Sequence, residues 1–204
     1  MIKTIALDIG DVLVEYQWDE LMASKFDQET ADIVADAIWF HGDWEELDRG
    51  VLPLDELLTS MISHAPSYKE EITWAFTHVA SCVAMRPYAI EWINALKKKG
   101  YRVLYLSNYS EYIMEGNREA LRFLPYLDGG IFSYDVKAIK PEREIYEIFC
   151  RTLNVKANEC IFIDDKEENV LAAKAFGLHA IQYKNFEQCQ IDLEIALKEW
   201  GGQT

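Results

Sequence analysis

Basic residues are scarce in this chain. Twenty lysines and arginines stand against 35 aspartates and glutamates, a formal net charge of −15 over 204 residues with histidine neutral. A surplus of that size repels a phosphate backbone and an anionic membrane surface alike, so nucleic-acid and membrane-surface binding are excluded as function classes. Cysteine is sparse too: Cys82, Cys150, Cys160 and Cys189 are widely spaced, form no Cys-x-x-Cys pair and cluster with no histidine. Buried thiols in a reducing compartment are expected, and neither a disulfide framework nor a zinc site. No apolar run approaches the roughly 18 residues that a membrane span needs, and the opening MIKTIALDIGDVLV, broken by Asp8 and Asp11, lacks the make-up of a secretory leader. Internal repeats, low-complexity tracts and linkers are missing as well. A soluble, cytoplasmic protein is the expectation.

Half of the residues are apolar and 13% are aromatic, enough for a substantial core. At roughly 100 to 200 residues per domain, the length gives one domain, or a core with an insertion. Three short apolar runs, Ile5 to Leu7, Val103 to Leu106 and Ile161 to Ile163, each stop at a polar residue. Buried parallel strands read this way because helices cover both of their faces. Ile131 to Tyr134 and His179 to Tyr183 are weaker strand candidates.

Amphipathic helices separate the runs. Tyr88 to Lys99 places Ala89, Trp92, Ile93 and Leu96 at helical spacing and closes on three lysines and Gly100, a cationic end with a left-handed cap. Pro141 to Leu153 sets proline in a first helical turn, and Val170, Ala173 and Phe176 repeat the pattern up to Gly177. Strands alternating with such helices predict an α/β fold with an open, Rossmann-like parallel sheet. From about Tyr16 to Arg86 no clear strand is seen. Helical stretches run over Trp18 to Phe26, Ala31 to Phe40, Leu54 to His64 and Tyr68 to Val79, and Ile191 to Trp200 is a final packing helix. The division expected is a core of residues 1–15 and 87–204 with an all-helical insertion at 16–86.

Ligands of an open α/β sheet bind outside the carboxyl ends of its strands. The polar residues there are Asp8, then Ser107 and Asn108, then Asp164 and Asp165, with Lys140 just ahead of the helix that Pro141 opens. Two carboxylates about 4 Å apart repel by roughly 4 kcal/mol at an effective dielectric of 20, so such a cluster calls for a cation or a shared proton. Mg²⁺, a hard ion held by carboxylates, a backbone carbonyl and water, fits best. Beside Lys140 it would give a local positive pocket for an anion within a negative protein.

Four segments together carry a resemblance: Asp8-Ile9-Gly10-Asp11-Val12, Ser107-Asn108, Lys140-Pro141, and Asp164-Asp165 with Asn169 beyond. In this order, each at a strand end, they resemble the motifs of the haloacid dehalogenase superfamily, in the group with a helical cap between the first two motifs that includes sugar-phosphate phosphatases and the N-terminal domain of epoxide hydrolases. The resemblance implies a Mg²⁺-dependent phosphatase of a small phosphorylated metabolite, such as a sugar phosphate. Asp8 would attack phosphorus to form an aspartyl-phosphate that water hydrolyses. The metal would be held by Asp8, the Gly10 carbonyl and Asp165, with Asp164 a ligand or a partner of the ligands. Lys140, Ser107 and Asn108 would bind phosphoryl oxygens. A 2-haloacid dehalogenase using the same aspartate is the alternative. Gly10, where phosphatases of this family carry a second aspartate as general acid, leaves open a catalytically weak or silent binding protein and leaves Asp11 or water to take its place.

Other residues have simpler expectations. Tyr16, Trp18, Trp39, His41 and Trp44 invite a substrate-pocket reading, since a cap sets specificity in the family resembled, with core packing the favoured expectation for any one aromatic. His41, His64, His78 and His179 are expected on the surface or satisfied, and Asp48-Arg49-Gly50 in a structural turn.

Overall fold

The computed structural model describes residues 1–200. Five parallel strands form its central sheet in the order β5-β4-β1-β6-β7: β1 (Thr4–Leu7), β4 (Arg102–Ser107), β5 (Gly130–Phe132), β6 (Cys160–Asp164) and β7 (His179–Gln182). β1 and β6 are buried along their whole length, as the apolar runs require. Their side chains alternate between two cores. Ile5, Leu7, Val103, Ile161 and Ile163 point to one side, where Trp92 and Ile93 of α6 (Ala89–Lys98) and Leu193 and Ala196 of α11 (Phe186–Trp200) pack. Ala6, Leu104, Leu106, Cys160 and Phe162 point to the other, against Ile145 and Phe149 of α9 (Arg143–Thr152) and Val170 and Ala173 of α10 (Glu167–Phe176). Leu7 is level with Tyr105 on one neighbour and Ile163 on the other, so Asp8, Ser107 and Asp164 emerge at one rim. Strand order diverges on either side of β1, which opens the crevice there.

Helix ends follow the sequence signals where the caps are local. Gly100 and Gly177 take φ of +91° and +113°, the left-handed conformation glycine adopts without penalty. At β5 glycine answers a close approach instead: a Cβ on Gly130 would lie 2.2 Å from the Tyr105 ring. Two expectations are displaced. Pro141 is not in a first helical turn; the Lys140–Pro141 bond is cis and α9 begins only at Arg143. The weak strand at Ile131 to Tyr134 ends at Phe132, where the chain turns into α8 (Ser133–Val136).

Between β1 and β4 lie α1 (Trp18–Ala23), α2 (Gln28–Trp39), α3 (Asp43–Arg49), α4 (Leu54–His64) and α5 (Lys69–His78), with their own apolar cluster of Met22, Val34, Ile38, Leu57, Met61, Ile72 and Phe76. The strandless reading of this stretch needs correction at its edges. β2 (Val14–Tyr16) and β3 (Val83–Met85) pair antiparallel, and each is three residues long, too short for alternation to show. After β4 comes α7 (Glu111–Gly116), whose Asn117 donates to the Ala80 and Val83 carbonyls at 2.9 Å and ties the ribbon to the core. The four cysteines are free, Cys82, Cys160 and Cys189 buried and Cys150 half-buried. No described helix is long and apolar enough to cross a membrane.

Candidate active site

Asp8 leaves the end of β1 with 6% of its surface exposed. Its Oδ1 accepts the Ile9 N–H at 2.7 Å and its Oδ2 lies 2.9 Å from Lys140 Nζ. The Lys140 ammonium, 3% exposed, also donates to Asp164 Oδ2 at 2.6 Å, so one cation bridges two carboxylates. Asp164 is fully buried. It accepts the Lys166 N–H at 2.8 Å and the Asn169 amide at 3.0 and 3.1 Å, which leaves it saturated and fixed as the partner that aims Lys140. Asn169 thus supports the acidic loop, and its own Oδ1 is buried with no partner.

Asn108 holds Lys140 by the backbone. Its Oδ1 accepts the Lys140 N–H at 2.8 Å, and its Nδ2 donates to the Lys140 carbonyl at 2.9 Å, keeping a second amide hydrogen. Ser107 is fully buried at the end of β4, with its hydroxyl 3.4 Å from the Asn108 carbonyl. Asp165 stands half-buried on the cavity wall.

Electrostatics define what this group lacks. Carboxylate oxygens of Asp8, Asp164 and Asp165 lie within 4.8 Å of one another. Fully ionised, three carboxylates against the Lys140 ammonium would leave two negative charges uncompensated within the cluster. Burial first, then the charges of Asp164 and Asp165, push the Asp8 carboxyl above its ordinary range in spite of Lys140. Asp165 is pushed up to about 6 by burial and by Asp164 and Asp11. Burial works against the Lys140 charge, but Asp164 and Asp8 outweigh it and keep the pKa above that of a free lysine. A divalent cation answers this shortage. Asp8 and Asp165 supply hard oxygen donors, and Gly10 lines the same cavity, so the residues present fit Mg²⁺.

That cavity holds about 270 Å³. Asp8, Gly10, Asp11, Asn108, Lys140, Asp165, Lys166 and Asn169 form its floor, and Tyr16, Trp39, Trp44, Glu45 and Asp48 close it from β2 and the helices above. The expected core placement of the aromatics therefore holds only in part. Trp18 stays on the far side of Trp39, edge-on at 5.2 Å, whereas Trp39 and Trp44 meet at 3.8 Å and wall the cavity together. His41 and His64 stack on each other at 3.9 Å beside Asp36 and Asp43, outside the cavity lining. A larger groove of about 370 Å³ between α1 and α2 carries Asp19 and Asp32 and no cation, a poor match for an anion.

Residue 48 is the placement that sequence reading misses. The Asp48-Arg49-Gly50 turn is the end of α3, closed by Gly50 at φ +67°, and Asp48 is turned inward. The odd acidic residue after Leu47, on the inner side of a short helix, is the one local sign of it. Lys166, directly after the acidic pair, lies outside the motifs and escapes the sequence reading as well.

Comparisons with known proteins agree with this geometry. The chain is 27% identical over 207 residues to a D-ribitol-5-phosphate phosphatase of Bacteroides thetaiotaomicron, covering 97% of this chain and 99% of the relative. It is 30% identical over 96 residues to an (S)-2-haloacid dehalogenase of Burkholderia cepacia, covering 47% and 42% of the two. A HAD family enzyme of Bacteroides thetaiotaomicron, solved with magnesium and inorganic phosphate, superposes with a TM-score of 0.69 at 21% identity over 90% of this chain and 95% of that one, which shows the shared fold. The family model for haloacid dehalogenase-like hydrolases matches residues 2–177, most of the chain, and the chain belongs to that hydrolase family.

Proposed function

We propose that this protein is a Mg²⁺-dependent phosphatase of a small phosphorylated metabolite, with Asp8 as nucleophile. The observation that carries this reading is the buried Asp8–Lys140–Asp164 bridge, with Asp165 two negative charges in excess when fully ionised, at the floor of a cavity about 270 Å³ in size. Asp8, Asp165 and the Gly10 carbonyl would hold the ion, with Asp164 behind Lys140. When bound, it would supply positive charge to a phosphoryl group that the bare acidic floor would repel.

The chain's own residues do the rest. Lys140, fixed by Asn108 and Asp164, offsets charge on Asp8 and on the phosphoryl oxygens. Its ammonium is positioned before substrate arrives, so little reorganisation is needed at the transition state. Asn108 offers its second amide hydrogen to the phosphoryl group, whereas Ser107, fully buried and outside the cavity lining, does not reach it as the motif alone implies. Asp8 Oδ attacks phosphorus, the ester oxygen departs, and water then cleaves the aspartyl-phosphate.

Residues 16–86 act in this reading as a cap. Tyr16, Trp39 and Trp44 give a partly apolar ceiling that suits a short organic group, and full-length similarity to a phosphatase named for ribitol 5-phosphate supports a sugar or polyol phosphate. Halide displacement on a 2-haloacid is less well served, because the substrate carboxylate would enter a site with surplus negative charge. Turnover of a panel of sugar, polyol and aryl phosphates with Mg²⁺, and its loss in chelator with recovery on Mg²⁺ addition, is the expected result. Equal turnover with and without chelator, or halide release from 2-chloropropionate in place of phosphate release, contradicts the reading.

A further inference from the structure

Cleavage of an alkyl phosphate needs a proton for the departing oxygen, and position 10, two residues beyond Asp8, has no side chain to give one. Tyr16 occupies the adjoining space: a Cβ on Gly10 would lie 3.5 Å from Tyr16 Cε2 and 3.8 Å from its hydroxyl. Burial holds the Tyr16 phenol well above its ordinary pKa, too weak an acid for the task near neutrality. Asp11 lines the cavity floor as well but is exposed to solvent, with its backbone at φ +53°.

We propose that Asp48, delivered by the helical cap, is the general acid and base of the reaction, a catalytic residue that the core itself lacks. This rests on the phosphatase reading above. Asp48 is 9% exposed, yet it lines the same cavity as Asp8 and Lys140, and no donor among the described residues is hydrogen-bonded to its carboxyl. The backbone around it is clamped to the core. Ser133 Oγ donates to the Asp48 carbonyl at 2.6 Å, Lys137 Nζ donates to the Gly50 carbonyl at 2.6 Å, and Arg49 grips Glu142 with two hydrogen bonds of 2.9 and 2.8 Å. Three consecutive residues of the cap thus bind the core, and the side chain in their midst that makes no such bond faces the cavity.

The surroundings suit a carboxyl that changes protonation state. Burial, reinforced by Glu45 and opposed by Lys166 and Lys140, pushes Asp48 up to about 7, and Tyr16 and Tyr109 also feel its charge. An acid is most effective when its pKa lies near the working pH.

In the first step the bond from Asp8 Oδ to phosphorus forms, the bond from phosphorus to the ester oxygen breaks, and that oxygen takes the Asp48 proton and leaves as an alcohol. In the second, the Asp48 carboxylate takes a proton from water as the water oxygen bonds to phosphorus. The aspartyl bond breaks, inorganic phosphate departs, Asp8 returns as a carboxylate and Asp48 is reprotonated.

The test compares, in Mg²⁺, the best alkyl phosphate of the panel with p-nitrophenyl phosphate, whose leaving group departs without a proton. The ratio of the two kcat/KM values, which extend only to departure of the leaving group and leave out the shared hydrolysis of the aspartyl-phosphate, does not depend on how much of the preparation is folded. In Asp48→Asn the alkyl-to-aryl ratio is expected to fall by about 10²- to 10⁴-fold relative to wild type. An unchanged ratio, whether both rates fall together or neither does, overturns the role of Asp48 and leaves the phosphatase reading standing. Wild-type protein that cleaves neither ester overturns that reading and the role of Asp48 with it.

Discussion

Asp8→Asn is expected to lower phosphatase kcat by about 10⁴- to 10⁶-fold, the scale on which enzymes lose activity when the attacking group itself is removed. An amide has no anionic oxygen to offer phosphorus, while its size and shape match those of the carboxyl it replaces. The packing around it has no reason to change. The oxygen of the new amide can accept from only one of the two donors that Asp8 serves, so with the Ile9 N–H satisfied its NH2 faces the Lys140 ammonium, which keeps its 2.6 Å contact with Asp164. Relief of the carboxylate crowding and the new donor-to-donor contact oppose each other, so the metal-free variant should melt near the wild-type temperature. Steady-state kinetics and a thermal melt on the same preparation check both halves. Substantial turnover in the variant removes Asp8 as nucleophile, whereas a lower melting temperature would mean that the carboxylate is needed for folding.

Lys140→Met has the opposite signature, with loss of stability and of activity together. Lys140 is the cation that makes short ion pairs with Asp8 and Asp164, both almost fully enclosed. Removing one member of a buried ion pair strands its partner and typically costs about 3–5 kcal/mol, and here two partners are stranded. For a chain of this size that corresponds to a drop in melting temperature of roughly 10 °C. Loss of a preorganised positive group at the phosphoryl site should lower kcat by about 10²- to 10³-fold or more. Mg²⁺ should raise the melting temperature of Lys140→Met more than that of wild type, because the ion then answers a larger excess of negative charge. A metal-free melting temperature equal to wild type would contradict the charge count on which the metal assignment rests.

Much of this site is legible in the sequence because it depends on short-range rules. Strand ends announce themselves where Leu7, Leu106 and Ile163 give way to polar residues, and a parallel sheet brings such ends to one rim whatever the chain length between them. Asp8, Lys140, Asp164 and Asp165 therefore assemble as their order suggests. Asn169 is ambiguous in the sequence because a residue in a first helical turn can face either way; packing turns its amide onto Asp164. The cap is harder to read. Trp18, Trp39 and Trp44 have equal claims to a core by composition, and which of them walls the cavity is decided by how α1, α2 and α3 pack together. Asp48 is hidden for the same reason. Its inward turn depends on contacts with Ser133, Lys137 and Glu142, more than 80 residues away, and local patterning carries no trace of them.

Chemical trapping at residue 8 tests the nucleophile most directly. Protein turning over a phosphate ester in Mg²⁺ is quenched with borohydride, which reduces an aspartyl-phosphate to homoserine, and the peptides spanning residues 8, 48 and 165 are sequenced by mass spectrometry. Homoserine at position 8, absent without substrate and absent in Asp8→Asn, is the expected result. Unmodified Asp8 under conditions of steady turnover, or homoserine at Asp11, Asp48 or Asp165 instead, would contradict it.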